Sequence, residues 1–250
     1  MSVQPIAVIN MSTKVTDAQV ALMVQALNTQ LPAFCTSWSL RSSICQAYTK
    51  TQKPTAIYKI YIYDSPDQAG ALGYHTEDTN GIYGKVFVNP VLQARGGGVL
   101  KGTVSNAPTV SSVLSHEALE MLKDPNVNTW WVGADGSSFY AAEVCDPVQG
   151  NVVKVTISGQ EIWLSDYILP VWSDGQQKKG PFNYLNTLKR PLSVDKGGYI
   201  VQIQAGVPSY IFGSSLSEYT KMDAISDSER ASLNTRIAAA KQLGISVPSS

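Results

Sequence analysis

The chain has 250 residues, 44% of them hydrophobic, and its 19 basic and 19 acidic residues leave no net charge at neutral pH. This length and composition allow a sizeable core, and the neutral balance argues against a broad basic surface that would bind nucleic acid. No uninterrupted run of about 18 apolar residues occurs, so we expect no membrane span.

The first quarter of the chain predicts strands around one helix. Residues 6–10 predict a short apolar strand, and residues 16–31 carry apolar side chains at helical spacing, after a Thr-Asp cap and before the helix-ending Pro32. Residues 38–40 predict another short strand. Alternating apolar residues over 57–64, followed by proline, predict a strand with a definite end.

Residues 70–89 predict a β-hairpin with its turn at residues 78–81, where the sequence is Asp-Thr-Asn-Gly. His75, one of only two histidines in the chain, would lie in the first strand of this hairpin.

The next element is a helix predicted over residues 110–122. Its apolar residues recur at three- and four-residue steps and cover more than one face, which indicates a buried helix. Pro108 lies near its start, where a missing N–H costs nothing. The helix is expected to end at Asp124, because a residue before proline avoids the helical conformation.

This helix carries three residues that can bind a metal or transfer a proton: His116, Glu117 and Glu120. Their spacing is that of the H-E-x-x-H zinc-protease motif with glutamate in place of the second histidine. Residues i and i+4 lie on one face and can hold a metal, and the glutamate between them can remove a proton from water. The four-residue match alone is weak, since it arises by chance in many helices.

The segment after the helix supplies further carboxylates. Residues 138–147 predict a short helical turn that is capped by serine and closed by proline. Glu143 and Asp146 are three residues apart, so on such a turn both would face the same way. Cys145 lies between them and is disfavoured as a ligand. With three cysteines in all, we expect reduced thiols and no disulfide framework.

The last third of the chain predicts mostly β-structure. Residues 152–157 and 161–164 flank a Ser-Gly turn, and residues 166–172 are expected to continue the strand. Another strand is predicted at residues 199–203. A capping-box pattern and an apolar stripe predict a closing helix within residues 222–243.

The combined pattern S-H-E-x-x-E-x-x-x-D-P-x-x-N-x-W, followed by E-x-x-D, resembles a zincin-type metallopeptidase group. Members of that group occur in phage and bacterial proteins, and a more distant pattern occurs in plant secreted proteins of the exordium type. The resemblance implies an α+β fold in which a mixed sheet lies over an active-site helix. It also implies that the hairpin at residues 70–89, with His75, is the edge of that sheet, where an extended peptide can add as a further strand. We therefore expect a zincin-like metal-binding domain over 1–147 and a β-rich part with a terminal helix over 148–250.

The resemblance also implies roles for individual residues. His116 and Glu120 would hold Zn²⁺, although another divalent cation suits an oxygen-rich site as well. The third ligand would be Glu143 by analogy with gluzincins, with Asp146 orienting His116, or Asp146 itself by analogy with aspzincins. Glu117 would be the general base.

Two more residues are candidates for the same site. His75 is expected to be an exposed residue without a role, a hydrogen-bond donor to the substrate or its oxyanion, or a metal ligand. Tyr167 is expected to be a second oxyanion donor or an ordinary packing residue. The sequence does not decide between these alternatives.

Two functions are favoured over a third, a metal-free globular module in which the carboxylates make hydrogen bonds. The first is a zinc-dependent peptidase acting on a peptide or protein. The second is a catalytically inactive, metal-stabilised structural or attachment protein, for instance of a phage virion. The additional carboxylate favours the second, because its negative charge weakens the metal as a Lewis acid. No signal peptide is evident at residues 1–5, so we expect a cytoplasmic or virion protein, in a homo-oligomer or with virion partner proteins, that contacts neither nucleic acid nor membrane.

Overall fold

The computed structural model describes residues 3–213. This part of the chain is an α+β structure that contains three β-sheets and four α-helices. The helix predicted at residues 222–243 lies outside the described residues. None of the helices within residues 3–213 combines the length and the apolar character that crossing a bilayer requires.

The largest sheet has five strands. They are β1 (Gln4–Asn10), β2 (Ser43–Thr49), β3 (Tyr58–Tyr63), β4 (Gly73–Asp78) and β5 (Gly81–Phe87). Their order across the sheet is β2-β1-β3-β5-β4, and every neighbouring pair is parallel except β4 with β5. The predicted hairpin is thereby confirmed, and its first strand, β4, forms one edge of the sheet.

The first helix is longer than the sequence predicts. Helix α1 (Asp17–Ser37) starts at a capping box formed by Thr16 and Gln19, but it continues through Pro32 instead of ending there. Phe34, in the extra turn, is fully buried, so apolar packing offsets the hydrogen bond that proline cannot donate. The strand predicted at residues 38–40 is wrong, because Trp38 is the residue that ends this helix.

Helix α2 (Val88–Gln93) directly follows β5, and a loop leads from it to α3 (Val110–Lys123), the predicted motif helix. The side chain of Thr109 caps α3 by accepting a hydrogen bond from the backbone N–H of Ser112 at 2.9 Å. Helix α3 packs against β3, β4 and β5, and almost all of its residues are buried. Its polar groups therefore lie inside the protein, beneath the edge of the sheet.

The second half forms two smaller sheets. Its elements are β6 (Trp130–Val132), β7 (Ser138–Ala141), a 3₁₀ turn (Asp146–Val148), β8 (Val152–Ile157), β9 (Gln160–Ser165), α4 (Pro170–Ser173), β10 (Tyr199–Gln204) and β11 (Val207–Phe212). The hairpin β8–β9 and the strand β10 confirm the predictions. A four-stranded sheet has the order β11-β10-β7-β6.

Two local predictions in this half are wrong. Residues 138–147 do not form a helical turn, because residues 138–141 pair as a strand with both β6 and β10. The apparent serine cap belongs to a tight turn, in which Asp135 accepts hydrogen bonds from Ser138. Residues 166–172 do not continue a strand, since they leave the hairpin and enter α4 at Pro170.

The predicted domain boundary at residue 147 separates residues that belong to one sheet and to one apolar core. Strand β10 pairs with β7, so one sheet contains strands from both sides of that position. The main apolar core likewise joins Ile6 of β1 and Leu114 of α3 to Ile200 of β10. Residues on either side of the predicted boundary therefore stabilise each other.

Candidate metal centre

Helix α3 carries the central residues of the site. Glu117 and Glu120 are buried, with only 5% and 3% of their surface exposed, whereas the side chain of His116 keeps 15% exposure. Burial of two carboxylates is costly unless a positive charge or hydrogen bonds compensate it. Histidine side chains and backbone N–H groups near the two carboxylates provide this compensation.

One imidazole nitrogen faces two carboxylates. Nε2 of His116 lies 3.1 Å from Oε2 of Glu120 and 3.3 Å from Oδ1 of Asp146. His116 and Glu120 meet because they are one helical turn apart. Asp146 begins the 3₁₀ turn, which follows α3 and the strands β6 and β7 along the chain. The structure thus brings together three of the residues that the sequence analysis selected.

The backbone holds this arrangement from the other side. Oε1 of Glu120 accepts hydrogen bonds from the backbone N–H of Cys145 at 3.0 Å and of Asp146 at 3.3 Å. Glu120 therefore contacts the loop with one oxygen and His116 with the other. The contacts of its two oxygens hold the Glu120 carboxylate in place, and they also hold the backbone that positions Asp146.

The two distances from His116 Nε2 match the spacing of metal ligands. Two ligands that each lie about 2.0–2.1 Å from a tetrahedral zinc ion are about 3.3 Å apart. The distances from His116 Nε2 to Glu120 and Asp146, 3.1 and 3.3 Å, agree with that value. One imidazole nitrogen and two carboxylate oxygens are also an accepted zinc donor set. The residues present therefore fit a divalent cation.

The charges in this group shift its titration. Burial disfavours the charged imidazolium, but the charge of Glu120 and hydrogen bonding with Asp146 and Glu120 hold the pKa of His116 well above its ordinary value. Burial also works against the ionised Glu120, yet the nearby His116 lowers the pKa of that carboxyl. The protonated His116 therefore supplies the positive charge that a bound cation would otherwise provide.

Glu117 faces strand β4, and its carboxylate lies between His75 of that strand and Glu120 of its own helix, with donor atoms within 4.8 Å. Oε2 of Glu117 lies 3.6 Å from Nδ1 of His75, whose Nε2 donates a hydrogen bond to the carbonyl oxygen of Asp124 at 3.0 Å. His75 is only 7% exposed, so the alternative of an exposed histidine is wrong. Because its side chain turns inward from the edge strand, His75 reaches the helix beneath the sheet.

This second pair also has shifted pKa values. Burial raises the pKa of the Glu117 carboxyl, although its contact with His75 and the charge of His116 act in the opposite direction. Burial disfavours a charged His75, but its interactions with Glu117 and the charges of Glu117 and Glu120 outweigh that effect and raise its pKa. Glu117 and His75 therefore bind a proton more strongly than isolated side chains do.

Two glycines provide the space for Glu117. A Cβ atom on Gly73 of β4 would lie 2.8 Å from Oε1 of Glu117 and 2.6 Å from Cγ1 of Val113. A Cβ atom on Gly84 of β5 would lie 3.7 Å from Cβ of Glu117, an ordinary contact. The sequence analysis missed Gly73. Its only signal in the sequence is that it is a glycine within a predicted strand, two residues before His75.

The remaining selected residues lie as follows. Cys145, which the sequence analysis disfavours as a ligand, has its thiol in a group with His116 and Glu120 whose donor atoms are all within 4.8 Å of one another. Burial raises the pKa of this thiol well above its ordinary value, which disfavours a thiolate ligand. Glu143 is buried in the loop before the 3₁₀ turn.

Tyr167 is only 1% exposed and lies in an aromatic cluster. Its ring meets Phe34 edge-on at 5.0 Å between centroids and stacks on Tyr184 at 5.1 Å. This environment is that of a packing residue, which was one of the two alternatives, and it gives no support to a role as oxyanion donor.

Comparison of the chain with protein-family models, with curated proteins and with solved structures gives no match. The resemblance to zincins therefore rests on the motif, and the chemistry of the site has to be argued from the geometry of its residues.

Proposed function

We propose that the protein is a metal-dependent hydrolase of peptide bonds, with zinc as the cation. The observation that carries the proposal is the approach of Glu120 and Asp146 to His116 Nε2, at 3.1 and 3.3 Å, which are distances that zinc ligands have from one another. This choice takes Asp146 as the third ligand and keeps Glu143 as the alternative. When bound, zinc lowers the pKa of a water molecule and polarises a carbonyl group.

The protein's own residues would transfer the protons that hydrolysis requires. Glu117 is adjacent to His116 on α3 and buried, so its raised pKa suits a carboxylate that takes a proton from water and later returns it to the leaving amine. His75 would orient Glu117, since the two side chains are 3.6 Å apart and Asp124 fixes the other ring nitrogen. This positioning role replaces the expected donation from His75 to the oxyanion.

The architecture supports a peptide as the substrate. Strand β4 is the edge of the five-stranded sheet and runs past the helix that carries the site. Its outer side has backbone groups that an extended chain can pair with. A mixed sheet whose edge strand lies over the motif helix is also what the resemblance to zincins implies, and this supports the proposal.

A second candidate function is a metal-stabilised protein without catalysis. The burial of Glu117 favours it, because only 5% of this residue is exposed and its carboxylate faces His75. A base that is closed off from solvent and substrate would stabilise the fold rather than perform hydrolysis. The two candidates share the same metal ligands and differ in what Glu117 does.

The test is hydrolysis of denatured casein and of a random-peptide mixture by the zinc-loaded protein. The wild type is compared with Glu117→Gln, and Glu161→Gln is the matched control. Glu161 is exposed on β9, where its carboxylate accepts a hydrogen bond from the Trp163 indole that glutamine can also accept. Removal of the general base is expected to lower hydrolysis about 10²–10⁴-fold without loss of zinc.

The control variant is expected to hydrolyse both substrates at the wild-type rate. Equal, background-level hydrolysis by wild type and Glu117→Gln, with zinc bound to both, would contradict the peptidase and favour the second candidate.

A further inference from the structure

A second group of donor atoms lies next to the first. His75, Glu117 and Glu120 are all buried, and each offers one donor atom within 4.8 Å of the others. They come from two elements, since His75 is on the edge strand β4 and both glutamates are on α3. Strand pairing and helix packing therefore hold these atoms together.

The hydrogen bond to Asp124 determines which imidazole atom is available. A carbonyl oxygen only accepts, so Nε2 of His75 must carry the hydrogen in the 3.0 Å contact. In the neutral ring, Nδ1 then carries the lone pair, and this atom lies 3.6 Å from Oε2 of Glu117. Metal-binding histidines commonly use a backbone carbonyl in this way to present the other nitrogen to the ion.

Glu120 belongs to both groups. It contacts His116 in the first group and completes the second with His75 and Glu117. Carboxylates bridge pairs of cations in two-metal hydrolytic sites, where the ions are about 3.5–4 Å apart. Glu120 thus links the two groups in the way that a bridging carboxylate links two ions.

The charges also leave room for a second ion. The two groups together with Asp146 contain three carboxylates, Glu117, Glu120 and Asp146, which carry three negative charges when ionised. One divalent cation leaves a net charge of about −1, and two leave about +1. The site is therefore close to neutral with either occupancy, which is the condition under which buried charges are tolerated.

We propose that His75, Glu117 and Glu120 form a second, weaker divalent-cation site that regulates the first by binding the proposed base. A mixed imidazole and carboxylate donor set selects zinc or a similar transition metal over calcium or magnesium. An ion at this site takes up the lone pairs of Glu117, so Glu117 no longer accepts a proton from water. Excess zinc would thus inhibit the hydrolysis that the first site supports.

The regulatory part of this inference rests on the proposed function, but the site itself does not. It is therefore tested by counting ions. The metal-free protein is titrated with zinc, free and bound metal are separated by dialysis, and the bound metal is measured by elemental analysis. The variants are His75→Phe, which removes the donor and keeps a ring of similar size, and His75→Gln, which keeps a polar group near Asp124.

The wild type is expected to bind about two zinc ions per chain, the second more weakly, and both His75 variants about one. Cobalt gives an independent readout, because the absorbance of the second bound equivalent should be missing in both variants. Excess zinc should lower hydrolysis by the wild type. Thermal unfolding of each variant shows whether the fold is retained.

Three results would overturn the inference. One ion per chain in the wild type and in both variants shows that the first site exists without the second, and leaves the proposed function standing. Two ions in every protein place the second ion elsewhere. No bound ion in the wild type removes the proposed function as well, so the two failures are distinguishable.

Discussion

Nε2 of His116 lies 3.1 Å from Oε2 of Glu120, one helical turn further along α3. The other oxygen of Glu120 accepts hydrogen bonds from the backbone of the loop that carries Asp146. The carboxylate therefore links the helix to that loop and sets the distance between the candidate ligands. Both the proposed metal site and the local packing depend on this one side chain.

Gly73→Ala should disturb the site through Glu117. The added Cβ would lie 2.8 Å from Oε1 of Glu117 and 2.9 Å from the carbonyl oxygen of Lys85, so either β4 or the glutamate must move. We expect a loss of about 1–3 kcal/mol in unfolding free energy, typical of overpacking, together with reduced hydrolysis. Urea unfolding and the peptide assay measure the two effects.

Gly84→Ala is the matched control for this substitution. Its nearest contacts would be 3.4 Å or longer, so we expect nearly wild-type stability and hydrolysis. Equal effects of the two substitutions would show that crowding at Glu117 is not the cause.

Asp124→Ala should loosen the loop after α3. The buried Asp124 carboxylate accepts hydrogen bonds from the backbone N–H of Asn128 and Thr129, both at 3.0 Å. Loss of this acceptor should cost about 1–3 kcal/mol, measured by urea unfolding. Asp124→Asn keeps an acceptor oxygen and should cost clearly less. If both variants lose the same stability, the charge rather than the hydrogen bonds is responsible.

The metal-free protein should show a pH dependence that comes from His116. The folded-state pKa of His116 is raised well above 6.5 by its carboxylate neighbours, after the opposing effect of burial. Its contribution to stability is thus fully present below pH 6.5 and is lost as pH rises through the folded-state pKa. The difference in unfolding free energy between wild type and His116→Asn should therefore be largest below pH 6.5 and shrink toward pH 9.

Urea unfolding in the presence of a chelator, at several pH values, measures that difference. A difference that stays constant, or that grows with pH, would mean that His116 is not held protonated by Glu120 and Asp146.

The sequence predicts the elements with a strong local pattern. The motif helix, the β4–β5 hairpin and the β8–β9 hairpin all have a regular apolar period and a clear turn or cap, so local and tertiary preferences agree. The proximity of His116 to Glu120 follows from helical geometry alone. The edge position of β4 was inferred from the expected architecture, and the strand order agrees with it.

Other features depend on contacts that no local pattern contains. Pro32 lies inside α1 because burial of Phe34 beyond it outweighs a lost hydrogen bond. Residues 138–141 form a strand because distant β10 pairs with them. The contact between His75 and Glu117 requires the sheet to cross the helix, and the sequence reveals neither its distance nor the space that Gly73 provides.

The central claim is that His116, Glu120 and Asp146 bind a divalent cation. Elemental analysis of the purified protein after dialysis against trace zinc tests it most directly, with Glu120→Gln as the variant and Glu161→Gln as the control. Glutamine at 120 still offers an oxygen to the N–H groups of Cys145 and Asp146 but lacks the charge. The account predicts at least about one zinc ion per chain in the wild type and the control, and little in the variant. A wild type that binds no zinc, or a Glu120→Gln variant that binds as much as the wild type, would contradict the account.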